Sequence, residues 1–417
     1  MNKETHNTLV PALRFPEFQD EEGWEEKTIS EIGKIITGNT PNTKERSYYG
    51  GERLFVSPSD IGEHRYINQT LTTLTEIGYS STRHIKANSI LFVCIGSTIG
   101  KIAQNKIECA TNQQINSIIP FDSISNNFLY SILENIAPRI AEMAGNHAVP
   151  IINKSAFSSI LICVPSLPEQ QKIADCLSSL DELIQTESQI LEALKTHKKG
   201  LMQQLFPAES QTVPQLRFPE FMDDEEWEEK SLGEVANIVT GNTPSTNELS
   251  YYGEEKLFVS PADISEQRYI TQTKTKLTEI GFAQTRKVKA NSVLFVCIGS
   301  TIGKVAQNKI ECATNQQINS LIPKDDSSGD FLYSILEYKA STFASLAGKQ
   351  AVPIINKTVF SSVELYFPKI AEQQKIADCL SSLDEQIATK SQQIEALKIH
   401  KKGLMQQLFP TIDDRNT

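Results

Sequence analysis

A chain of 417 residues with 39% hydrophobic content is long enough for two or three domains with real cores, which excludes an intrinsically disordered chain. A net charge of −11 excludes a simple polycation, although an acidic chain still binds DNA when its charge is segregated. No apolar run approaches the ~18 residues of a membrane span, and seven cysteines without a C-x-x-C pair give neither zinc spacing nor a disulfide framework.

The N-terminal segment, 1–17, has no apolar core of a secretory signal, so a cytoplasmic protein with reduced thiols is expected. An acidic stretch, "EFQDEEGWEE", follows. Residues 44–108 differ: eight Lys and Arg face six Asp and Glu, 8 − 6, a surplus of about +2 that permits a basic face. Residues 18–165 read as a mixed, strand-rich globular part. "RLFVSPSDI", "SILFVCIG" and "SIIPF" are strands by their β-branched and aromatic content, "TGNTPN" and "YYGGE" are turns, and "FLYSILENI" is a helix.

Several stretches of this part carry polar groups. "TGNTPNTKERSYYG" offers Asn39, Thr40, Lys44, Arg46 and two tyrosines in one loop, and "TRHIKAN" adds Arg83, His84 and Lys86. That mixture of basic, hydroxyl and aromatic groups fits a nucleic-acid loop. "IGSTIGKIA" resembles a phosphate loop but fails as one: only Ser97, Thr98 and Ile99 separate Gly96 from Gly100, and Ile102 follows Lys101. Either Lys101 meets a phosphate at a strand-to-loop corner, or this is a tight turn with a solvated lysine. "TNQQIN" gathers Asn112, Gln113, Gln114 and Asn116. Amides read adenine edges and touch phosphate and sugar, and they equally cap turns and satisfy buried backbone.

From Ser166 the pattern becomes helical. Ser166 with Glu169 fits a capping box, and Pro168 suits the first turn. Ile173, Leu177, Leu180, Ile184, Leu191, Leu194, Leu201 and Leu205 alternate at four- and three-residue spacing once Glu187 and Lys198 fill the two gaps, which is a coiled-coil seam. The helix of 166–207 would be ~57 Å long and stops at Pro207. A stripe this narrow needs a partner helix; the alternative packs each helix on its own globular part.

The chain then repeats itself. After a linker of 208–220 come a second globular part, 221–368, a second helix, 369–410, and a tail, 411–417. Trp24 and Trp227, Lys101 and Lys304, and Pro207 and Pro410 all stand 203 apart. Over 13–207 roughly 70% of aligned positions are identical, without an insertion. "HKKGLMQQLFP" closes both helices. Two such lobes form a pseudo-dimer. The helix partner in this reading is the other copy, running antiparallel.

Catalytic constellations are missing: the sequence holds no H-E-x-x-H, no G-x-S-x-G, no Gly-rich methyl-donor loop and no metal spacing. His147, His197 and His400 read as structural or solvated. The chain therefore reads as a binder or organiser.

The order "TGNTP", "SPSDI", "GSTIGK", "TNQQIN", then "PEQQKIADCLSSLDE" and a long helix, all written twice, resembles the DNA-specificity subunit of type I restriction-modification enzymes over nearly the whole chain. The resemblance implies an α+β fold of two mixed, β-rich target-recognition domains, joined by two long antiparallel coiled-coil helices with internal pseudo-two-fold symmetry. It implies no catalysis and no cofactor in this subunit. Double-stranded DNA, two modification subunits that use S-adenosylmethionine and two restriction subunits that use ATP and Mg would be the partners. Each domain would read half of a bipartite site. The near-identity of the copies makes a near-palindromic site the expectation, with Leu71 against Lys274, Thr73 against Lys276, Ser81 against Gln284 and His84 against Lys287 as the differing loop positions. The expected DNA-binding residues are the matched pairs Asn39/Asn242, Thr40/Thr243, Arg83/Arg286, Lys86/Lys289, Ser97/Ser300, Thr98/Thr301, Lys101/Lys304, Asn112/Asn315 and Gln113/Gln316. A solitary DNA-binding adaptor of another phage-defence system is the competing reading. A duplicated enzyme is disfavoured by the missing motifs.

Overall fold

The computed structural model describes residues 9–62, 64–145, 149–209, 211–347 and 353–410; the first eight residues, His147 and the tail 411–417 lie outside the described residues. The chain forms two compact units, one of residues 1–188 with 393–417 and one of residues 189–392. Among the described residues no helix is long and apolar enough to cross a membrane.

In the first unit, a five-stranded sheet runs in the order Gly33–Thr37, Ile115–Pro120, Ile90–Val93, Ile102–Asn105, Tyr66–Ile67. A four-stranded sheet runs Thr72–Leu74, Tyr49–Val56, Cys109–Thr111, His84–Ile85. Both are mixed: Tyr49–Val56 runs parallel to Cys109–Thr111, and Tyr66–Ile67 parallel to Ile102–Asn105. Ile90–Val93 is apolar at every position because both of its faces are covered. Leu91 and Val93 join Leu54, Val56, Ile85 and Cys109 in one core, while Ile90 and Phe92 point to the opposite face and pack with Phe128, Leu129 and Leu133 of the helix Asn126–Glu142. The fold is thus α+β, with a helical layer on one side of the central sheet and a second sheet on the other. The second unit repeats the arrangement 203 residues on; the strand equivalent to Tyr49–Val56 is split there into Tyr252–Gly253 and Lys256–Val259.

The long helices, Leu167–Leu205 and Ile370–Leu408, each give their first half to one unit and their second half to the other. In the first unit, Ile173, Ala174 and Leu177 share a core with Met405, Leu408 and Phe409. One turn further along the first helix and two turns back along the second, Asp181 meets Lys401 at 2.6 Å, so the two segments run antiparallel. In the second unit Ile376, Ala377 and Leu380 share a core with Met202, Leu205 and Phe206, and Asp384 meets Lys198 at 2.6 Å. Both packings weighed for the helices therefore occur: each helix starts on its own globular part, and its end lies beside the start of the other helix.

Every position of the four-three stripe on both helices is buried or half-buried. Lys198 and Lys401, which interrupt the apolar pattern, are among the buried ones. Lys401 bridges Asp181 and Glu134 of the domain helix, and Lys198 bridges Asp384 and Glu337. Burial pulls the Lys401 ammonium pKa down, but Glu134 and Asp181 together outweigh it and hold it above its ordinary value. A charged group at a seam position fixes register, since a slipped helix would leave it unpaired. Arg65 and Arg268 extend these clusters, each reaching the same aspartate, Asp181 or Asp384, and stacking on Tyr130 or Tyr333.

The start of the first long helix departs from the capping box. The Ser166 hydroxyl donates to Glu21, and the Glu169 carboxylate, buried, accepts from Arg14 Nε (2.8 Å), Arg14 Nη2 (2.7 Å) and Trp24 Nε1 (3.3 Å). Tertiary partners have displaced the local one.

The cysteines are free thiols. Burial pushes Cys94, Cys109, Cys163, Cys297 and Cys312 up to about 12, far from the thiolate form that reacts. Brief treatment of the folded chain with iodoacetamide at neutral pH is expected to label only the half-buried Cys176 and Cys379. Peptide mass spectrometry checks this against the denatured chain, and early labelling of Cys94 would contradict the packing described.

Candidate nucleic-acid interface

Strand register brings the loops singled out in the sequence to one end of the sheets. Gly33–Thr37 leaves its sheet at Thr37, opposite Asn116, and turns at Gly38. A Cβ at Gly38 would stand 2.2 Å from the Thr111 carbonyl oxygen, and at Gly241 2.2 Å from that of Thr314, so only glycine lets these two loops touch. The Asn39 side chain then spans to a third loop: Nδ2 donates to the Ser81 carbonyl (3.1 Å) and Oδ1 accepts from the Arg83 amide (2.8 Å). Arg83 in turn donates from its guanidinium to the Thr37 carbonyl at 2.7 Å. The exposed Thr40 hydroxyl donates to Gln113 Oε1 at 2.6 Å.

The "TNQQIN" amides divide between the two roles considered for them. Asn112 and Gln114 hold the turn: Asn112 Oδ1 accepts from the Gln114 amide, Asn112 Nδ2 donates to Gln114 Oε1, and Gln114 Nε2 donates to the Ile95 carbonyl. Gln113 is exposed, and among the described residues only the oxygen of its carboxamide is held, by Thr40. Asn116 is buried, accepts from the Thr37 hydroxyl and lies against Cys94 Sγ.

"GSTIGK" forms the turn between the antiparallel strands Ile90–Val93 and Ile102–Asn105. Gly96 at φ 99° and Gly100 at φ 94° occupy the left-handed region, which explains two glycines in five residues. The turn is backed by Pro150, whose carbonyl accepts from the Gly96 amide, and fastened to the amide loop through Gln114. Ser97 and Lys101 are exposed and Thr98 half-buried. Lys101 Nζ lies 3.5 Å from the Pro58 carbonyl, which adds the "SPSD" turn to the cluster.

The structure therefore brings together Asn39, Thr40, Arg83, Ser97, Thr98, Lys101, Asn112 and Gln113. Lys86 stands apart. Because His84 pairs with Ala110 and Ile85 with Cys109, Lys86 leaves the strand at the opposite end, where its carbonyl accepts from Ser89 and Asn105. Sequence proximity to Arg83 concealed a strand running between them.

The second unit keeps these contacts. Asn242 bonds Gln284 and Arg286, Thr243 bonds Gln316 at 2.7 Å, Arg286 bonds the Thr240 carbonyl, and Asn315 pairs with Gln317. Ser300 is exposed and Thr301 half-buried; Lys289 occupies the far end, as Lys86 does. Lys304 differs, donating to the Ile264 carbonyl at 2.9 Å. Of the differing positions, Leu71/Lys274 and Ser81/Gln284 lie at the clustered end. His84 stacks on Tyr79 (centroids 4.1 Å apart) and Lys287 sits over Phe282, each on the sheet that holds Cys109–Thr111 or its counterpart Cys312–Thr314, and Lys276 is paired with Glu254.

No group of three or more His, Cys, Asp or Glu side chains among the described residues has metal-binding geometry. What the cluster offers is a rigid surface of amides, hydroxyls and cations, the chemistry that meets base edges and phosphates.

A family profile described as "Type I restriction modification DNA specificity domain" matches residues 21–196 and again 224–398. The chain is similar to the Type I restriction enzyme MjaIX specificity subunit of Methanocaldococcus jannaschii, 24% identical over 405 residues that cover 92% of each chain. It is 38% identical over 149 residues to the Type I restriction enzyme HindI specificity subunit of Haemophilus influenzae, covering 34% of this chain and 32% of that one. Among solved structures, the S subunit of a type I restriction-modification system from M. genitalium superposes with a TM-score of 0.63 over 97% of this chain and all of its own, at 16% identity, a likeness of fold.

Proposed function

Because this chain belongs to the family of type I restriction-modification DNA specificity proteins, and is a specificity subunit rather than an enzyme, we propose that its two units read the two halves of one bipartite, near-palindromic DNA site. The observation that carries this is the duplicate cluster. Asn39, Thr40, Arg83 and Gln113, and their counterparts Asn242, Thr243, Arg286 and Gln316, are held by the same bonds in the same loops. Two readers built alike should favour like half-sites. Ser97, Thr98, Lys101 and Asn112 with their counterparts complete the interface, Lys101 and Lys304 as phosphate contacts. Lys86 and Lys289, at the far end, meet DNA only if it bends around the domain.

The domain division follows the same reading: recognition domains over 18–165 and 221–368, spacer helices over 166–207 and 369–410. Specificity subunits act with other subunits. Here the complement is two modification subunits that bind S-adenosylmethionine and two restriction subunits that bind ATP and Mg, docked on the exposed faces of the helices, in the cytoplasm. The acidic net charge of −11 fits this division, since partners that enclose the duplex can neutralise most of its phosphates while this subunit contacts bases.

Mapping methylated adenines in DNA modified by the assembled complex tests the proposal. The expected motif has two short, nearly inverted half-sites around an unread gap. Two unrelated half-sites would overturn the near-palindrome, and a single continuous site would overturn the two-reader arrangement altogether.

A further inference from the structure

Residue 71 and its counterpart 274 occupy a turn anchored in the same way in both units. Asp60 holds it by accepting from the Ser57 amide (2.8 Å), the Ser57 hydroxyl (2.6 Å) and the Leu71 amide (2.7 Å). Asp263 does the same with the Ser260 amide (2.8 Å), the Ser260 hydroxyl (2.6 Å) and the Lys274 amide (2.8 Å). The Thr70 hydroxyl donates to the Thr72 carbonyl at 2.6 Å, and the Thr273 hydroxyl to that of Thr275 at 2.7 Å. These four bonds recur in both units and do not by themselves require any side chain at this position, because the anchoring group is the backbone amide.

The turn lies at the clustered end. Thr72 pairs with Phe55, and the next residue, Val56, pairs with Thr111, directly before Asn112. Lys101 reaches the same Ser57–Asp60 turn through Pro58. Leu71 is 83% exposed, the highest of any large apolar side chain among the described residues. Lys274 is exposed and makes no ion pair among the described residues, whereas nearby Lys276 is engaged by Glu254. The other site that trades a cation for leucine, Arg46 against Leu249, sits on a turn packed against Thr75 and Thr278 at the far end of the short strand.

We propose that position 71/274 is a specificity-determining position, at which the two readers, alike in their Asn39, Thr40 and Gln113 contacts, select different base pairs. The inference rests on the recognition function proposed above. A leucine held rigidly at a groove covers the C5 methyl of thymine and offers no hydrogen bond, so Leu71 selects an A·T pair. A lysine donates to O6 and N7 of guanine, so Lys274 selects a G·C pair at the corresponding place in the other half-site.

The test compares methylation motifs written by complexes assembled with the wild-type chain, Leu71→Lys and Lys274→Leu. The wild-type motif is expected to have halves that differ at one matched position, A·T in one and G·C in the other. Leu71→Lys is expected to convert the A·T to G·C, making the halves alike at that position, and Lys274→Leu to convert the G·C to A·T, each with roughly tenfold to hundredfold preference over the old base pair. An unchanged motif in both variants overturns the inference, and so does an equal loss on all sequences with a shallower salt dependence, which assigns the position to phosphate. A wild-type complex that marks no bipartite site overturns the recognition reading itself, and the inference with it.

Discussion

Replacing Phe409 with alanine is expected to destabilise the first unit by about 3–5 kcal/mol, although the residue lies in the second repeat. Phe409 is 3% exposed, packs edge-on to Trp24 with centroids 6.3 Å apart, and lies 5.8 Å from Phe128. Removing its ring opens a cavity between the domain core and the helix end, at the cost of the aromatic contacts with Trp24 and Phe128. Hydrogen exchange reads the effect by location. Protection should fall in Glu25–Thr28 and along the helix Asn126–Glu142, while the second unit keeps its own. Phe206→Ala should give the mirror result, because Phe206 packs on Phe331 at 5.6 Å and stacks on Tyr338 at 5.3 Å. If Phe409→Ala instead loosened the second unit, the assignment of helix ends to cores would be wrong.

Arg14→Ala is the second large effect. Arg14 and Glu169 form a two-bond ion pair with side chains 5% and 1% exposed, and Arg14 also donates to the Glu21 and Glu22 carbonyls. Deleting the arginine leaves a carboxylate buried without its counter-ion, a loss of about 3–5 kcal/mol. The asymmetry of such pairs supplies the control. Arg14→Met with Glu169→Met removes both charges and should recover most of the loss, short of the Trp24 bond to Glu169. Urea denaturation of the two single variants and the double variant measures the coupling. Single losses that simply add would mean that the pair is not the source of the stability.

Much of the architecture was legible because it is periodic. The 203-residue offset, the four-three stripe and the strand-like runs are patterns in adjacent or regularly spaced residues, and each run holds a strand or helix, but "RLFVSPSDI" stops being a strand at Val56 and turns over Ser57–Asp60, and "YYGGE", read as a turn, instead opens the strand Tyr49–Val56. What the sequence concealed was pairing over long separations. Arg14 finds Glu169 across 155 positions and Lys401 finds Glu134 across 267, and neither separation is periodic. Lys198 and Lys401 looked like gaps in an apolar seam, yet each is a buried charge with two partners. The interface was half visible. The loops were recognisable by composition, but which ends meet depends on strand register, and that separates Lys86 from Arg83 while joining Asn39 to both Ser81 and Arg83. The Leu71 turn escaped emphasis because its anchor, Asp60, acts on a backbone amide and leaves no signature in the side chain it holds.

The eleven residues that end both helices are identical, and each set seals a core begun by the opposite repeat. A lid common to both bodies fits either one. Exchange of a globular head for a different one, at either place in the chain, therefore calls for no compensating change in the rods, provided the newcomer presents the same ring of aromatic contacts around Trp24 or Trp227 and the partners of the buried rod charges, Arg65 and Glu134 or Arg268 and Glu337. Diversity in the reading loops and constancy in the closing segment can then evolve on separate schedules.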